Sequence, residues 1–295
     1  GYLFVHDQLL HESGMRSHPL NPMRDSKLSR LLEKQSTGRA AGLYAEVIDQ
    51  GEAAVRHQLK QCADAGYRYV VTDTLADDHL AVIAEAVRDF PLVTGGSGLA
   101  MALAKLQQKD AAAIAAAKRL GRPESGKTVV LSGSCSEATQ KQVEVYRKQA
   151  PSMRIEVERC VEAADAYVAE LLQWAGEQRA AGRAPLLFAT TAAGELSENR
   201  RRYGRVEAGQ AIEELFGKLA ASLSEQGVQN FIVAGGETSG RVVQSLGIEA
   251  FRIGPQVSPG VPWVRSTEGS YALILKSGNF GDEDFFARAQ EFAQR

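Results

Sequence analysis

The sequence of 295 residues has few of the residues that form cross-links and metal sites. It contains three cysteines, Cys62, Cys135 and Cys160, and their spacing matches no pair of metal ligands. An odd number of unpaired cysteines argues against a disulfide framework and against a zinc site. We therefore expect reduced thiols and no dedicated metal centre.

The sequence also lacks an excess of one charge and any long apolar run. Its formal net charge at pH 7 is −2, which gives no basic surface for a nucleic-acid partner. No run approaches the roughly 18 apolar residues of a membrane-spanning helix, and the first residues lack the basic segment of a signal peptide. The sequence thus predicts a cytoplasmic protein without nucleic-acid or membrane partners.

The glycine-rich turns and the histidines match no common nucleotide or catalytic motif. None of the turns at residues 94–98, 131–136, 235–240 and 276–281 has the P-loop pattern G-x-x-x-x-G-K-S/T or the dinucleotide pattern G-x-G-x-x-G. The five histidines are scattered, without a serine or cysteine at a recognisable nucleophile turn, so a catalytic triad is not expected.

What the sequence does contain is an alternation of apolar, strand-like runs with segments of helical period. This alternation predicts an α/β fold of mostly parallel sheets with flanking helices. The predicted strands are 67–73, 128–131, 186–189, 230–234 and 271–275. The predicted helices are 52–65, 77–89, 99–119, 137–148, 161–179, 208–225 and 284–293, and residues 260–263 are predicted to form a turn.

The length suits two domains of ordinary size. A Gly- and Pro-containing break at residues 121–126 follows the alanine-rich helical stretch, so we place the first domain at residues 1–120 and the second at 121–295. The first residue is Gly1, and a β-rich segment begins almost at once without turn or capping residues. We therefore expect the first domain to be incomplete at its start.

The most informative segment is 231–247, an apolar strand that leads directly into the glycine-rich turn 235–240 and then into a helix. Residues 131–136 and 276–281 repeat this arrangement, and residues 94–98 form a fourth copy after the short apolar run 91–93, which is predicted to be a strand. Turns of small residues that open a helix present free backbone N–H groups to anions. Several of them together indicate a polyanionic ligand above the carboxyl edge of a sheet.

Each of these turns also has a purely structural interpretation. Ser134 and Glu137 could form a capping box at the start of a helix. Gly235 and Gly236 could simply allow positive φ and tight packing.

The charged residues near the turns are open to two interpretations as well. Lys276 could neutralise a phosphate, although a lysine at a strand end is more often solvated. Glu237 could hold Mg²⁺ through water or occupy the first helical turn without a ligand. The acidic residues 282–284 favour a helix start but would repel a phosphate, which indicates a structural role or one facing Mg²⁺.

Six ordered motifs, spread over nearly the whole chain, resemble those of the four-carbon acid sugar kinases. They are residues 18–26 (His-Pro-Leu-Asn-Pro-Met-Arg-Asp-Ser), 92–100 (Leu-Val-Thr-Gly-Gly-Ser-Gly-Leu-Ala), 131–136 (Leu-Ser-Gly-Ser-Cys-Ser), 235–240 (Gly-Gly-Glu-Thr-Ser-Gly), 259–263 (Pro-Gly-Val-Pro-Trp) and 276–281 (Lys-Ser-Gly-Asn-Phe-Gly).

The resemblance implies an N-terminal domain that binds a sugar acid and a C-terminal domain that binds a nucleotide. It implies ATP and Mg²⁺ as cofactors and phosphoryl transfer to the terminal hydroxyl of a four-carbon acid sugar. The stretch 92–100 looks most like the 3-oxo-tetronate kinase branch, with threonate and erythronate kinases as alternatives. The family's opening strand and its Asp-Asp-Phe/Leu-Thr-Gly-Ala turn are not present, which puts activity of this polypeptide by itself in doubt. A non-catalytic module that binds a nucleotide or sugar acid, and a homodimer, remain open.

The turn 95–98 follows an apolar run, opens a helix and lies in the first domain, away from the other three turns. Ser97 and the backbone of this turn could therefore hold the carboxylate of the acid sugar, or Ser97 could be an N-cap. No catalytic base can be identified. The nucleotide contacts that the resemblance implies are Ser132, Gly235, Gly236, Glu237, Thr238 and Gly278.

Overall fold

The computed structural model describes residues 1–5, 7–17, 22–107, 110–123, 125–178, 182–190 and 202–294. The chain divides into two compact units, Gly1–Lys109 and Asp110–Arg295. The helix Ala111–Leu120 belongs to the second unit, because it packs against the strand Phe251–Ser258 of that unit. The boundary predicted at residue 120 instead assigns this helix to the first domain.

The first unit contains short strands and small helices. Two pairs of strands form in it: β1 with β2, antiparallel, and β3 with β4, parallel. Its core consists of Leu43, Ile48, Val55, Ile83 and Ala86. Its elements are β1 (Phe4–Val5), β2 (Gln8–Leu9), a 3₁₀ turn (Gly14–Ser17), α1 (Leu28–Gln35), β3 (Ala40–Leu43), α2 (Ala45–Ile48), α3 (Glu52–Asp64), β4 (Tyr69–Thr72), α4 (Asp77–Val87) and α5 (Ser97–Gln107).

The second unit is built on a seven-stranded sheet in the order β6-β7-β5-β8-β11-β10-β9. The first five of these strands are parallel, and β10 and β9 are antiparallel to their neighbours. The strands are β5 (Lys127–Ser132), β6 (Ser152–Arg154), β7 (Leu186–Phe188), β8 (Val228–Ala234), β9 (Phe251–Ser258), β10 (Val261–Ser266) and β11 (Ala272–Lys276).

Helices bury this sheet on both faces. Along β8, Phe231 and Val233 join one hydrophobic core, while Ile232 and Ala234 join the other. A strand buried on both faces reads as a continuous apolar run, and this confirms the α/β fold that the sequence predicts. The helices are α6 (Ala111–Leu120), α7 (Glu137–Tyr146), α8 (Val157–Glu162), α9 (Ala164–Gln178), α10 (Arg205–Glu225), α11 (Gly236–Ser245) and α12 (Phe285–Gln294).

Two predicted helices are each divided in the structure. The prediction of one helix at 99–119 is wrong, because Asp110 caps a new helix by accepting hydrogen bonds from the N–H groups of Ala112 and Ala113. The prediction of one helix at 161–179 is also wrong: α8 ends at Glu162, and Ala163 has non-helical torsion angles before α9 begins.

Two other predictions are wrong about where strands form. Residues 260–263 are predicted to form a turn. In the structure only Gly260, with φ of +76°, lies in the turn, and β10 begins at Val261. The run 91–93, treated as a strand, has no strand structure, and Leu92 in it is 83% exposed. Among the helices that the structure describes, none is long and apolar enough to cross a membrane.

Candidate active site of the second unit

Three of the glycine-rich turns come together at one edge of the large sheet. Ser132, Ala234 and Lys276 are the last residues of three adjacent parallel strands, and both Ser132 and Lys276 are paired with Ala234 in register. The N–H groups of Gly133 and Ser134 donate to the carbonyl of Ala234 over 2.9 and 3.2 Å. The structure therefore places the three turns side by side, as the sequence predicts.

The first turn has a buried hydroxyl at its base. The side chain of Ser132 is fully buried, and its Oγ lies 2.8 Å from Oγ1 of Thr190 on the chain after β7. Sequence reasoning did not identify Thr190, because a single threonine after an apolar strand carries no distinct signal. Ser132 is thus held in place by its neighbour as well as by the sheet.

The helix after this turn is capped differently from the sequence interpretation. Ser136, and not Ser134, is the N-cap of α7, and its Oγ accepts a hydrogen bond from the N–H of Thr139 over 3.2 Å. Glu137 is the first residue of the helix, so the capping box of Ser134 with Glu137 is wrong. The hydroxyl of Ser136 also donates to the carbonyl of Gly278 over 2.6 Å, which connects the first turn to the third.

The second turn combines a buried glycine of positive φ with an exposed glycine. Gly235 has φ of +127°, and a Cβ on it would lie 2.9 Å from Oγ1 of Thr238 and 3.2 Å from the nitrogen of Ser134. A Cβ on Gly236 would meet no atom within 4 Å, and Gly236 and Glu237 are both exposed.

The start of α11 offers backbone donors at this turn. Its first bond within the helix runs from the N–H of Ser239 to the carbonyl of Gly235 over 2.9 Å. The N–H groups of Gly236, Glu237 and Thr238 precede that bond, and such amides lack acceptors within their helix. This is the arrangement that favours an anion.

The third turn is held by a buried lysine. The side chain of Lys276 is fully buried, and its Nζ donates to Oγ1 of Thr139 over 3.0 Å and to the carbonyls of Ser277 and Gly278 over 3.1 Å each. The expectation of a solvated lysine is therefore wrong. Burial lowers the pKa of Lys276 to about 8.

A close approach requires a glycine in the third turn. A Cβ on Gly278 would lie 2.5 Å from Oγ of Ser134 and 2.8 Å from Oγ of Ser136. The amide of Gln142 donates to the carbonyls of Phe280 and Gly281 over 3.0 and 2.8 Å, which fixes the rest of the loop.

Two carboxylates lie near the second turn. Burial raises the pKa of the Glu213 carboxyl on α10, and the charge of Glu237 raises it further, while Arg241 lowers it. Carboxylate oxygens are suitable ligands for Mg²⁺. Within the described ranges, no group of three or more His, Cys, Asp or Glu side chains is arranged to hold a metal ion.

The acidic residues after the third turn have partners. Arg288 on α12 pairs with Asp282 over 2.7 Å and with Asp284 over 3.4 Å. Its second terminal nitrogen donates to the carbonyl of Val257 over 2.7 Å. These ion pairs favour the structural role for the acidic segment 282–284 over the role facing Mg²⁺.

The motif residues of the first unit are only partly described. Residues 18–21 lie outside the described residues, but Ser26 is buried, and its Oγ is 2.7 Å from Nδ1 of His11. Hydrogen bonds from Arg30 lower the pKa of Asp25 well below its usual range. Ser97 is exposed and is the first residue of α5, so it does not occupy the N-cap position that one interpretation gave it.

Comparison with known proteins relates both units to one kind of enzyme. Residues 1–103 match the family described as a sugar-binding N-terminal domain, and residues 129–286 match a nucleotide-binding C-terminal domain. A 3-oxo-tetronate kinase of Pectobacterium atrosepticum is 53% identical over 99% of this chain and 70% of its own length. The 3-oxo-tetronate kinase of Salmonella typhimurium is 51% identical over 98% of this chain and 69% of its own length.

Solved structures show the same fold. A crystal structure of a Salmonella typhimurium protein has a TM-score of 0.85 and 51% identity, covering 98% of this chain and 68% of that one. A Haemophilus influenzae protein has a TM-score of 0.72 and 45% identity, covering 99% of this chain and 70% of the other. Together with the three adjacent turns, these similarities show that the chain belongs to the four-carbon acid sugar kinases, the family that includes the 3-oxo-tetronate kinases.

Proposed function

We propose that this protein transfers the γ-phosphoryl group of ATP to the terminal hydroxyl of a four-carbon acid sugar. The substrate proposed is 3-oxo-tetronate, and the products are 3-oxo-tetronate 4-phosphate and ADP. The observation that supports this most strongly is 53% identity to a 3-oxo-tetronate kinase over 99% of the chain.

The nucleotide is proposed to bind at the three turns of the second unit. Backbone N–H groups at Gly236, Glu237 and Thr238 would receive phosphate oxygens, since they open α11 without acceptors of their own. The absence of side chains at Gly235 and Gly278 allows the second and third turns to pack against the first, so that the three turns stay adjacent. Phosphoryl transfer depends on positioning and on neutralising charge rather than on covalent chemistry of the protein, and this arrangement supplies the positioning.

Mg²⁺ would be held largely by the nucleotide. Proteins commonly bind this ion through one or two carboxylates together with substrate phosphates. Glu237, with Glu213 near it, is the carboxylate proposed for this role. The ion would neutralise charge on the phosphates being transferred.

The acid sugar is proposed to bind in the first unit, which matches the sugar-binding family. Its carboxylate would contact the turn 95–98, where Ser97 is exposed at the start of α5. A homodimer and a cytoplasmic location stay predictions.

Two measurements test the proposal. Calorimetry with MgATP should show binding that is lost when residues of the three turns are altered. ADP release should require Mg²⁺ and an acid sugar, with 3-oxo-tetronate preferred to threonate and erythronate. MgATP binding without ADP release in the presence of any of the three acid sugars would instead indicate a non-catalytic binding module. A preference for threonate or erythronate would indicate that this compound, and not 3-oxo-tetronate, is the substrate.

A further inference from the structure

We propose that Lys276 is a positioning residue for ATP, which turns the peptides of Ser277 and Gly278 so that their N–H sides face the nucleotide. This inference rests on the proposed function, because it concerns the third turn of the proposed nucleotide site. The sequence analysis considered Lys276 only as a direct contact to phosphate.

The geometry gives Lys276 an indirect role. An ammonium group has three donors, and Nζ of Lys276 donates to three acceptors, Oγ1 of Thr139 and the carbonyls of Ser277 and Gly278. All of its donors are therefore engaged within the protein. Lys276 can act on a phosphate through the turn and through its charge, but not by donating a hydrogen bond to it.

The carbonyl of Gly278 is where this network converges. It accepts hydrogen bonds from Ser136 Oγ over 2.6 Å, from Thr139 Oγ1 over 2.8 Å and from Lys276 Nζ over 3.1 Å. Three donors on one carbonyl fix the orientation of that peptide. The two hydroxyls come from the N-cap and the first turn of α7, and the ammonium comes from β11, so two elements hold this peptide in one orientation.

The orientation of these carbonyls determines where the amides point. In a trans peptide the N–H group lies on the opposite side from the carbonyl, and there are no cis peptide bonds among the described residues. With the carbonyls of Ser277 and Gly278 directed at Lys276, the N–H groups of Gly278 and Asn279 are directed away from it. Successive N–H groups directed to one side form an anion-binding concavity.

The charge acts in the same direction. Burial is the cause of the lowered pKa of Lys276, and among the described residues no carboxylate raises this pKa. A positive charge buried without a carboxylate beneath the turn favours an anion above it. A bound phosphate would in turn favour the charged form of Lys276.

The test is Lys276→Met, which keeps the length of the side chain and removes the ammonium. The KM and dissociation constant for MgATP should rise about tenfold to a hundredfold, as expected for lost bonds to a charged group, while the KM for the acid sugar stays unchanged. Lys127→Met is the matched control, because Lys127 donates to the carbonyl of Gln226 over 3.0 Å at the opposite end of β5. A folded Lys276→Met protein that binds MgATP like the wild type would overturn the proposal.

A second variant covers the case in which Lys276→Met does not fold. Thr139→Val removes the hydroxyl that joins Lys276 to Gly278 and nearly preserves the shape of the side chain. It should weaken MgATP binding about threefold to tenfold, and an unchanged affinity would contradict the proposal. Failure of the wild-type protein to bind MgATP would instead contradict the proposed function, so the two failures are distinguishable.

Discussion

Gly235 and Gly236 are neighbours in the sequence but differ in what a side chain would meet. Gly235 has φ of +127°, which is rare for residues with a Cβ, and its surroundings are tight. Gly236 has open space around its Cβ position and begins α11. The fold thus requires glycine at the first position and tolerates a larger residue at the second.

We therefore expect Gly236→Val to impair ATP binding and leave folding nearly intact. Its branched side chain would occupy the space through which a phosphate reaches the first amides of α11, so affinity should fall by about tenfold or more, equivalent to ~1.4 kcal/mol. The free energy of unfolding should change by no more than about 0.5 kcal/mol, as is usual for surface substitutions. Calorimetry with MgATP and thermal melting measure the two effects.

Gly235→Ala serves as the comparison for this prediction. Its melting temperature should fall, because the change forces a Cβ into the left-handed region against Thr238. Unchanged ATP affinity in a folded Gly236→Val protein would remove this turn from the nucleotide site.

Lys276 makes a specific contribution to the pH dependence of stability. Its pKa in the folded protein is about 8, below the ordinary lysine value of 10.5. Between these two values the unfolded chain binds more protons than the folded one, so the contribution of Lys276 to the free energy of unfolding rises with pH over that interval. Below pH 8 the cost of the buried charge is present in full.

The measurement is chemical denaturation of the wild type and of Lys276→Met from pH 7 to pH 10.5. The stability difference between the two should shift in favour of the wild type as the pH rises. A difference that is constant over this range would show that Lys276 titrates normally in the folded protein.

Residue roles in the site were predictable only in part. The positions of Ser132, Gly235 and Gly278 in the turns follow from small residues after apolar strands. The hydrogen bonds of Thr139 and Gln142 to the third turn span more than 130 positions in sequence, and no local pattern indicates them. Lys276 was expected in solvent because lysine usually is, and tertiary packing overrides that tendency here.

At the scale of elements, α6 and β9 meet at two glycines. A Cβ on Gly121, at the end of α6, would lie 2.1 Å from the nitrogen of Gly254 in β9. A Cβ on Gly254 would lie 2.1 Å from the carbonyl oxygen of Gly121. The two backbones therefore approach as closely as they can, and neither glycine can be replaced without moving one element.

We expect Gly121→Ala to destabilise the protein by about 1–3 kcal/mol or more, the usual cost of overpacking. The control is Gly176→Ala in α9, where a Cβ would meet nothing within 4 Å. Removing a helical glycine there should stabilise by up to about 1 kcal/mol. Opposite shifts in melting temperature would support the contact, and equal shifts would contradict it.

The elements that sequence reasoning predicted well share one property. Strands buried on both faces, such as β5 and β8, are long apolar runs and were recognised. The sequence does not indicate β9, because it is an edge strand that is only partly buried and contains Gly254 and Pro255, which usually disfavour strands. Its pairing with β10 depends on a tertiary neighbour rather than on its own composition.

At the scale of the whole molecule, the sequence identified the family but not the division of the chain. The six motifs are local, so they can be read without a structure, and both matched families agree with them. The place of α6 depends on the distant strand β9, which the sequence does not reveal. Contacts therefore group α6 with the second unit, whereas composition alone groups it with the first.

The three turns are joined by main-chain hydrogen bonds, through the carbonyl of Ala234 and through the bond of 2.8 Å from Gly235 to the carbonyl of Lys276. An alanine scan removes side chains, so it would leave these bonds and the amides of the turns untouched. Such a scan would detect residues like Thr139 that support the turns, but not the backbone amides proposed to receive the phosphate oxygens. Mapping this site experimentally therefore requires substitutions that add a side chain at the glycines rather than substitutions that shorten existing side chains.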